Sequence, residues 1–222
     1  MELDNLNGFG NPYLVKCILL GRQGSGKSTL GKVFEDGVFD PTITTTIGMD
    51  FCTKVVPLEK GQKVRVQIWD SAGQEKFRTS IVASYLRDVS IAFIMFDVTS
   101  RESWNQIDVW KQLLDDQQYK FPPRLVLVGT KSDIPNHAVS IDEIKQRAKN
   151  WKCNYYVLSS KQTNSASMIY RMFYIETEHY HQYLINLHRN KKELPFGVLE
   201  KDARKSRIWE ASPEKPGWCC TQ

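Results

Sequence analysis

Gly21-Arg22-Gln23-Gly24-Ser25-Gly26-Lys27-Ser28 fits the pattern G-x-x-x-x-G-K-[ST], and its reading decides the fold. Spaced glycines let the backbone wrap through φ values that other residues avoid. Consecutive N–H groups then point inward, where phosphate oxygens can accept from them. A helix beginning at the loop adds its positive N-terminal end. Lys27 reaches for the outer phosphates, and the Ser28 hydroxyl is a ligand for Mg²⁺. The candidate cradle is therefore Gln23, Gly24, Ser25, Gly26, Lys27, Ser28 and Thr29. By chance the pattern appears in about one chain in a hundred of this length. Its context sharpens it: Val15-Lys16-Cys17-Ile18-Leu19-Leu20 reads as an apolar strand before the loop, and Ser28 to Phe34 as a helix after it.

The chain has 222 residues, 41% of them hydrophobic, enough for one domain with extensions. The longest apolar run, Ile91-Ala92-Phe93-Ile94-Met95-Phe96, has the length of a buried strand and falls far short of a membrane span. Met1-Glu2-Leu3-Asp4 lacks the basic and apolar regions of a signal peptide, and Glu2 stands where myristoylation needs glycine. Five cysteines, only Cys219 and Cys220 adjacent, argue against a disulfide framework and for a reducing compartment. Residues 189–222 carry eight Lys/Arg against five acids, and the first 188 carry 22 against 20. That balance excludes a nucleic-acid surface.

Outward from the loop, residues 1–12 read as an N-terminal extension. Phe39 to Gly48 is Thr-rich and broken by Pro41, hence a loop. Phe51 to Leu58 and Val64 to Trp69 form a hairpin through Glu59-Lys60-Gly61-Gln62. Val64, Val66 and Ile68 share one face; Trp69 falls on the other with Arg65 and Gln67, either covered locally or part of a docking surface. Strands are then expected at 90–96, 124–128 and 155–158, with helices at 102–117, 141–151 and 165–188. The first helix carries a stripe of Trp104, Ile107, Trp110 and Leu114. The last carries Ile169, Phe173, Tyr180, Leu184 and Leu187, interrupted by Glu176. Continuous apolar strands alternating with amphipathic helices specify an α/β fold, a mostly parallel six-stranded sheet with helices on both faces. The domain spans 13–188, and residues 189–222 lose periodicity and read as a flexible tail.

Three further turns carry chemistry. Asp70-Ser71-Ala72-Gly73-Gln74 follows the Val64–Trp69 strand. Asp70 is placed to hold Mg²⁺ through a water, Gly73 to bring an N–H to a terminal phosphate, and Gln74 to orient an attacking water. Gly129-Thr130-Lys131-Ser132-Asp133 follows a second strand. The Asp133 carboxylate accepts from the paired N1–H and N2–H₂ donors of guanine, which adenine lacks, and so selects GTP over ATP. Lys131 lies along the base face. Ser159-Ser160-Lys161 follows the last strand and offers an N–H to guanine O6.

These motifs resemble the Rab family within the Ras superfamily of small GTPases, whose fold is the P-loop NTPase small G domain. The likeness covers about residues 13–188 and the cysteine end. It is carried by Thr46-Ile47-Gly48-Met49-Asp50-Phe51, by Ile68-Trp69-Asp70-Ser71-Ala72-Gly73-Gln74-Glu75-Lys76-Phe77-Arg78 and by Tyr85-Leu86-Arg87-Asp88. It implies that Thr46 binds Mg²⁺ and the γ-phosphate, that Phe39 packs on guanine, and that Phe51, Trp69 and Tyr85 are an aromatic effector surface. Gln23 and the Tyr-x-Arg-Asp turn are similar to the Golgi-associated branch. The implied activity is slow hydrolysis of GTP to GDP in a switch for vesicle traffic. The implied partners are an exchange factor, an activating protein, a GDP-dissociation inhibitor or escort protein, and effectors. The implied location is the cytoplasmic face of an endomembrane, Golgi or vesicle, with a cytosolic pool. Cys219 and Cys220 resemble the prenylation signal; two lipids hold a membrane where one gives only marginal binding.

The chain departs from the family at Thr130, where most members carry an asparagine tying the base site to the P-loop; weaker affinity is expected. Ile43 stands in place of a tyrosine, Ser71 in place of a threonine, and the stretch from Trp69 to Tyr85 is one residue longer than usual. These departures keep open a scaffold that binds nucleotide weakly without cycling. A P-loop kinase or ATPase is a third reading, opposed by Asp133 and Gln74.

Overall fold

The computed structural model describes residues 13–43, 49–71 and 85–190. Six strands are formed: β1 (Tyr13–Gly21), β2 (Met49–Pro57), β3 (Lys63–Ser71), β4 (Ile91–Asp97), β5 (Arg124–Thr130) and β6 (Asn154–Val157). The helices are α1 (Lys27–Asp36), α2 (Arg101–Asn105), α3 (Ile107–Asp115), α4 (Ile141–Trp151) and α5 (Ser165–Arg189). The sheet order is β2-β3-β1-β4-β5-β6, antiparallel between β2 and β3 and parallel elsewhere. A short 3₁₀ turn, Glu59–Gly61, closes the β2–β3 hairpin.

Alternation along the strands sorts the core into two layers. Val15, Cys17 and Leu19 of β1, with Ile91, Phe93 and Met95 of β4, face α1 and α5. Phe173 of α5 wedges between Phe34 and Phe93, with ring centroids 4.4 and 4.8 Å away. Ile18, Leu20, Ala92, Ile94 and Phe96 face α2, α3 and α4. Because both faces are covered, β4 is buried at every position, as its unbroken apolar run requires.

The helix expected over 102–117 is broken at Gln106. The predicted stripe survives, since Trp104, Ile107, Trp110 and Leu114 are all buried. The break follows from how α2 is fixed. Ser100 caps it by accepting from Ser103 N–H, the Ser103 hydroxyl accepts from Asp97 N–H at 3.1 Å, and Trp104 packs edge-on against Phe96. The first turn is thereby held to the end of β4, and α3 restarts to lay its own residues on the sheet. Ser140 and Glu143 form a reciprocal capping box that starts α4.

Glu176, the residue that interrupts the α5 stripe, is fully buried. Its carboxylate accepts from Asn154 Nδ2 and the Tyr156 hydroxyl, each at 2.7 Å, and from Arg124 at 3.2 Å. A buried carboxylate is tolerated only when so satisfied. It ties α5 to the starts of β5 and β6. Among the described residues no helix is long and apolar enough to cross a membrane.

Candidate functional site

Five parallel strands deliver their carboxyl ends to one edge of the sheet. The chain leaves β1 towards β3 on one side and returns to β4 on the other. This reversal of strand order is where open α/β sheets bind ligands, and the Gly21–Ser28 loop starts there.

Gly21 lies so close to β4 that a Cβ would stand 2.3 Å from the Met95 carbonyl oxygen. Gly26 holds φ 83 at the start of α1, a left-handed turn that suits glycine. Between them Ser25 N–H closes onto Arg22 O at 3.1 Å, leaving Gln23 and Gly24 exposed at the loop crest. Ser28 and Thr29 are half-buried in the first turn of α1.

Lys27 is 5% exposed. Its ammonium donates to the carbonyls of Gly21 at 3.1 Å and Arg22 at 3.2 Å. Burial lowers its pKa to about 8, against the opposing pull of the Asp70 charge. A triphosphate binds the protonated amine, so binding raises this pKa. Nucleotide affinity is therefore expected to be flat below pH 8 and to fall about tenfold per pH unit above it. Titrations between pH 7.5 and 9.5 check this, and Lys27→Arg should abolish the slope, since a guanidinium stays charged.

Asp70, the last residue but one of β3, lies opposite Leu19 of β1 and is 7% exposed. With the half-buried Ser28 hydroxyl it forms a small set of hard oxygen donors. Among the described residues no cluster of three or more His, Cys, Asp or Glu could hold a metal alone. This donor set fits Mg²⁺, which is held by one or two protein oxygens together with substrate phosphates and water.

On the base side, Asp133 is exposed and follows Lys131, whose φ is 60. The Lys131 ammonium pairs with Asp97 Oδ2 at 2.7 Å. Burial pushes the Asp97 carboxyl up, but Lys131 and the two Thr99 donors outweigh it and leave it below the usual range. Asp97 was missed in the sequence. The signal was available, since it is an acid at a strand end, as Asp70 is. The two base-side turns are sewn together: Leu158 N–H donates to Gly129 O at 2.9 Å and Ser132 N–H to Leu158 O at 3.3 Å. Buried Ser159 accepts from Lys161 N–H at 3.0 Å, and Ser160 is half-buried beside it. Phe39 is half-buried against the α1–α5 side of the core.

Thr130 is 2% exposed, and its hydroxyl approaches Ser25 O at 2.9 Å and Phe96 O at 3.1 Å. The joint between base side and phosphate loop, which threonine was expected to weaken, is thus present and made by a hydroxyl.

Phe51, Trp69 and Tyr85 form a row with centroid spacings of 5.7 and 5.6 Å. Of the two alternatives for Trp69, the local covering is seen. Its indole donates to Gln67 at 2.8 Å and Lys16 lies 4.6 Å over its ring, yet Phe51 beside it is 55% exposed. A groove of about 440 Å³ lined by Lys111, Tyr119, Arg124 and Trp151 lies at the opposite end of β5 and shares none of the site residues. Thr46, Gly73, Gln74, Cys219 and Cys220 lie outside the described residues, as do the N-terminal extension and the tail.

Comparison with known proteins agrees with this geometry. The Ras family model matches residues 16–178. Ras-related protein Rab-18 of Lymnaea stagnalis is 40% identical over 129 residues, which cover 58% of this chain and 63% of that protein. The chain thus spans just under two thirds of that relative. Ras-related protein Rab-27B of Bos taurus is 35% identical over 158 residues, 67% of this chain and 72% of that protein. Ras-related protein SEC4 of Saccharomyces cerevisiae is 34% identical over 164 residues, 74% and 75% respectively.

Proposed function

From the premise that this chain belongs to the Ras family, as a Rab-type small GTPase, we propose that it is a GTP/GDP switch in vesicle-mediated transport. The observation that carries this reading is the buried Lys27 cation inside a glycine cradle that Thr130 ties to the base-side turn.

Asp133 holds the guanine edge, and Ser160 N–H meets O6. The loop N–H groups and Lys27 take the phosphates, and Phe39 closes on the base. Ser28, Thr46 and Asp70, the last through a water, would hold Mg²⁺, which screens charge developing on the phosphate oxygens. Gln74 orients water for in-line attack on the γ-phosphorus, and Gly73 N–H holds that phosphate. Lys27 stabilises charge passing to the β–γ bridge. No arginine in the chain is assigned to this charge, so turnover alone should be slow, on the order of 10⁻⁴–10⁻² s⁻¹, until an activating protein supplies one. The γ-phosphate orders the segments around Thr46 and Gln74, and its loss releases them. Phe51, Trp69 and Tyr85 are the surface that effectors read. Prenyl groups on Cys219 and Cys220 would hold the protein on the cytoplasmic face of an endomembrane, and a dissociation inhibitor would draw it into the cytosol.

Gln74→Leu tests the cycle. Single-turnover hydrolysis of bound GTP should slow by about tenfold or more while GTP affinity stays unchanged. Hydrolysis at the parental rate would remove Gln74 from the mechanism.

A further inference from the structure

Resting on the reading of Phe51, Trp69 and Tyr85 as an effector surface, we propose that the partner taken there is an acidic amphipathic helix, laid along β3 from the aromatic row to Lys63. The strand register sets Phe51 beside Trp69, Val55 beside Arg65 and Pro57 beside Lys63, all on one face of the sheet. β1 adds Lys16 to that face, beside Gln67. The opposite face is closed, with Val56, Val64, Val66 and Ile68 buried. This one is open: Phe51, Val55, Lys63 and Arg65 are exposed, and Lys16 and Trp69 are half-buried. Farther across the same side of the sheet, α2, α3 and α4 bury Ile18, Leu20, Ile94 and Phe96. Folds of this class stack helices on both faces of their sheet, so a partner helix here continues a layer that the chain itself begins.

Charge decides the partner's sign. Lys16 lies 4.6 Å over the Trp69 ring and donates to Arg87 O at 2.8 Å, which brings Arg87 to the aromatic end. Arg65 and Lys63 continue along β3. The acid beside these cations is Asp88, whose charge acts on Lys16. Among the described residues no acid pairs with Lys63, Arg65 or Arg87. Exposed cations beside exposed aromatics are complementary to carboxylates beside apolar side chains. The dimensions suit a helix. Three strands span about 10 Å across, the diameter of a helix with its side chains. Trp69 to Arg65 is about 13 Å along the strand, which a helix covers in about nine residues. The partner's apolar turn therefore sits on Phe51 and Trp69, and its carboxylates fall two to three turns farther on.

The test is binding of two alanine-rich helical peptides to the full chain, loaded with Mg²⁺ and a non-hydrolysable GTP analogue. Each peptide carries two leucines one turn apart. About nine residues farther on, one carries two glutamates and the other two lysines. The glutamate peptide should bind about tenfold or more tightly than the lysine peptide, and should lose that lead as salt rises. Arg65→Glu, an exposed change, should pass the lead to the lysine peptide. Phe51→Ala should weaken the glutamate peptide by about tenfold. Absence of saturable binding by the glutamate peptide, equal binding of the two, or an unchanged order in the Arg65→Glu protein would overturn the proposal. So would retention of the unlipidated chain on phosphatidylserine vesicles, lost in Arg65→Glu, while the peptide stays unbound, since the face would then belong to lipid. A glutamate peptide indifferent to Phe51→Ala would remove the effector-surface reading itself. Binding that depends on Phe51 but ignores peptide charge would sink the acidic-helix proposal alone.

Discussion

Asp133→Asn should turn a GTP-binding protein into one that prefers xanthosine triphosphate. The carboxylate offers acceptors only, matching the N1–H and N2–H₂ donors of guanine. An asparagine puts an NH₂ against the guanine 2-amino group, donor facing donor, and gives up a charge-assisted bond. Xanthine has a carbonyl at C2, which that NH₂ can satisfy. A site built around a hydrogen bond rejects the mismatched partner strongly, so GTP affinity should fall by about 10²–10⁴-fold while xanthosine triphosphate comes to bind more tightly than GTP. Asp133 is exposed at the rim, so the change leaves the core untouched. Competition binding of both nucleotides to both proteins measures the reversal. Undiminished GTP preference in the variant would mean that another group reads the base.

Lys27→Ala should abolish tight nucleotide binding while leaving the fold intact. The ammonium is nearly inaccessible and is held by two loop carbonyls. Burial that lowers its pKa to about 8 means that the ligand-free protein holds this charge at a cost. That cost is recovered when polyphosphate supplies the counter-charge. Removing one partner of a buried charge pair costs about 2–5 kcal/mol in binding, so affinity should fall at least about thirtyfold. The melting temperature without nucleotide should not drop, because the alanine protein no longer buries a cation. Loss of binding together with a collapsed melting temperature would make Lys27 a folding residue instead.

Periodicity and strand-end chemistry carried most of the fold. The unbroken apolar run at 91–96 predicts a doubly covered strand, and β4 is one. The hairpin at 59–62 also read directly, because turn residues act locally. What could not be read depends on contacts distant in sequence. Gln106 breaks a helix because Ser103 and Trp104 are tied to β4, which no local propensity encodes. Glu176 looks like a flaw in an apolar stripe until Arg124, Asn154 and Tyr156 converge on it. Within the site, Lys27, Asp70 and Asp133 were legible because their motifs fix them relative to a strand end. That Thr130 makes the joint itself could not be read, since only the packed structure brings Ser25 O and Phe96 O to its hydroxyl. Asp97 escaped because its partner, Lys131, lies on the next strand's turn.

The most direct test is calorimetric titration of the nucleotide-stripped, Mg²⁺-supplied protein with GTP, GDP and ATP. Saturable binding of GTP and GDP at micromolar concentration or below, with ATP far weaker, is the expected result. A folded protein that leaves GTP unbound at those concentrations, or that takes ATP equally well, would contradict the assignment of this sheet edge as a guanine-nucleotide site.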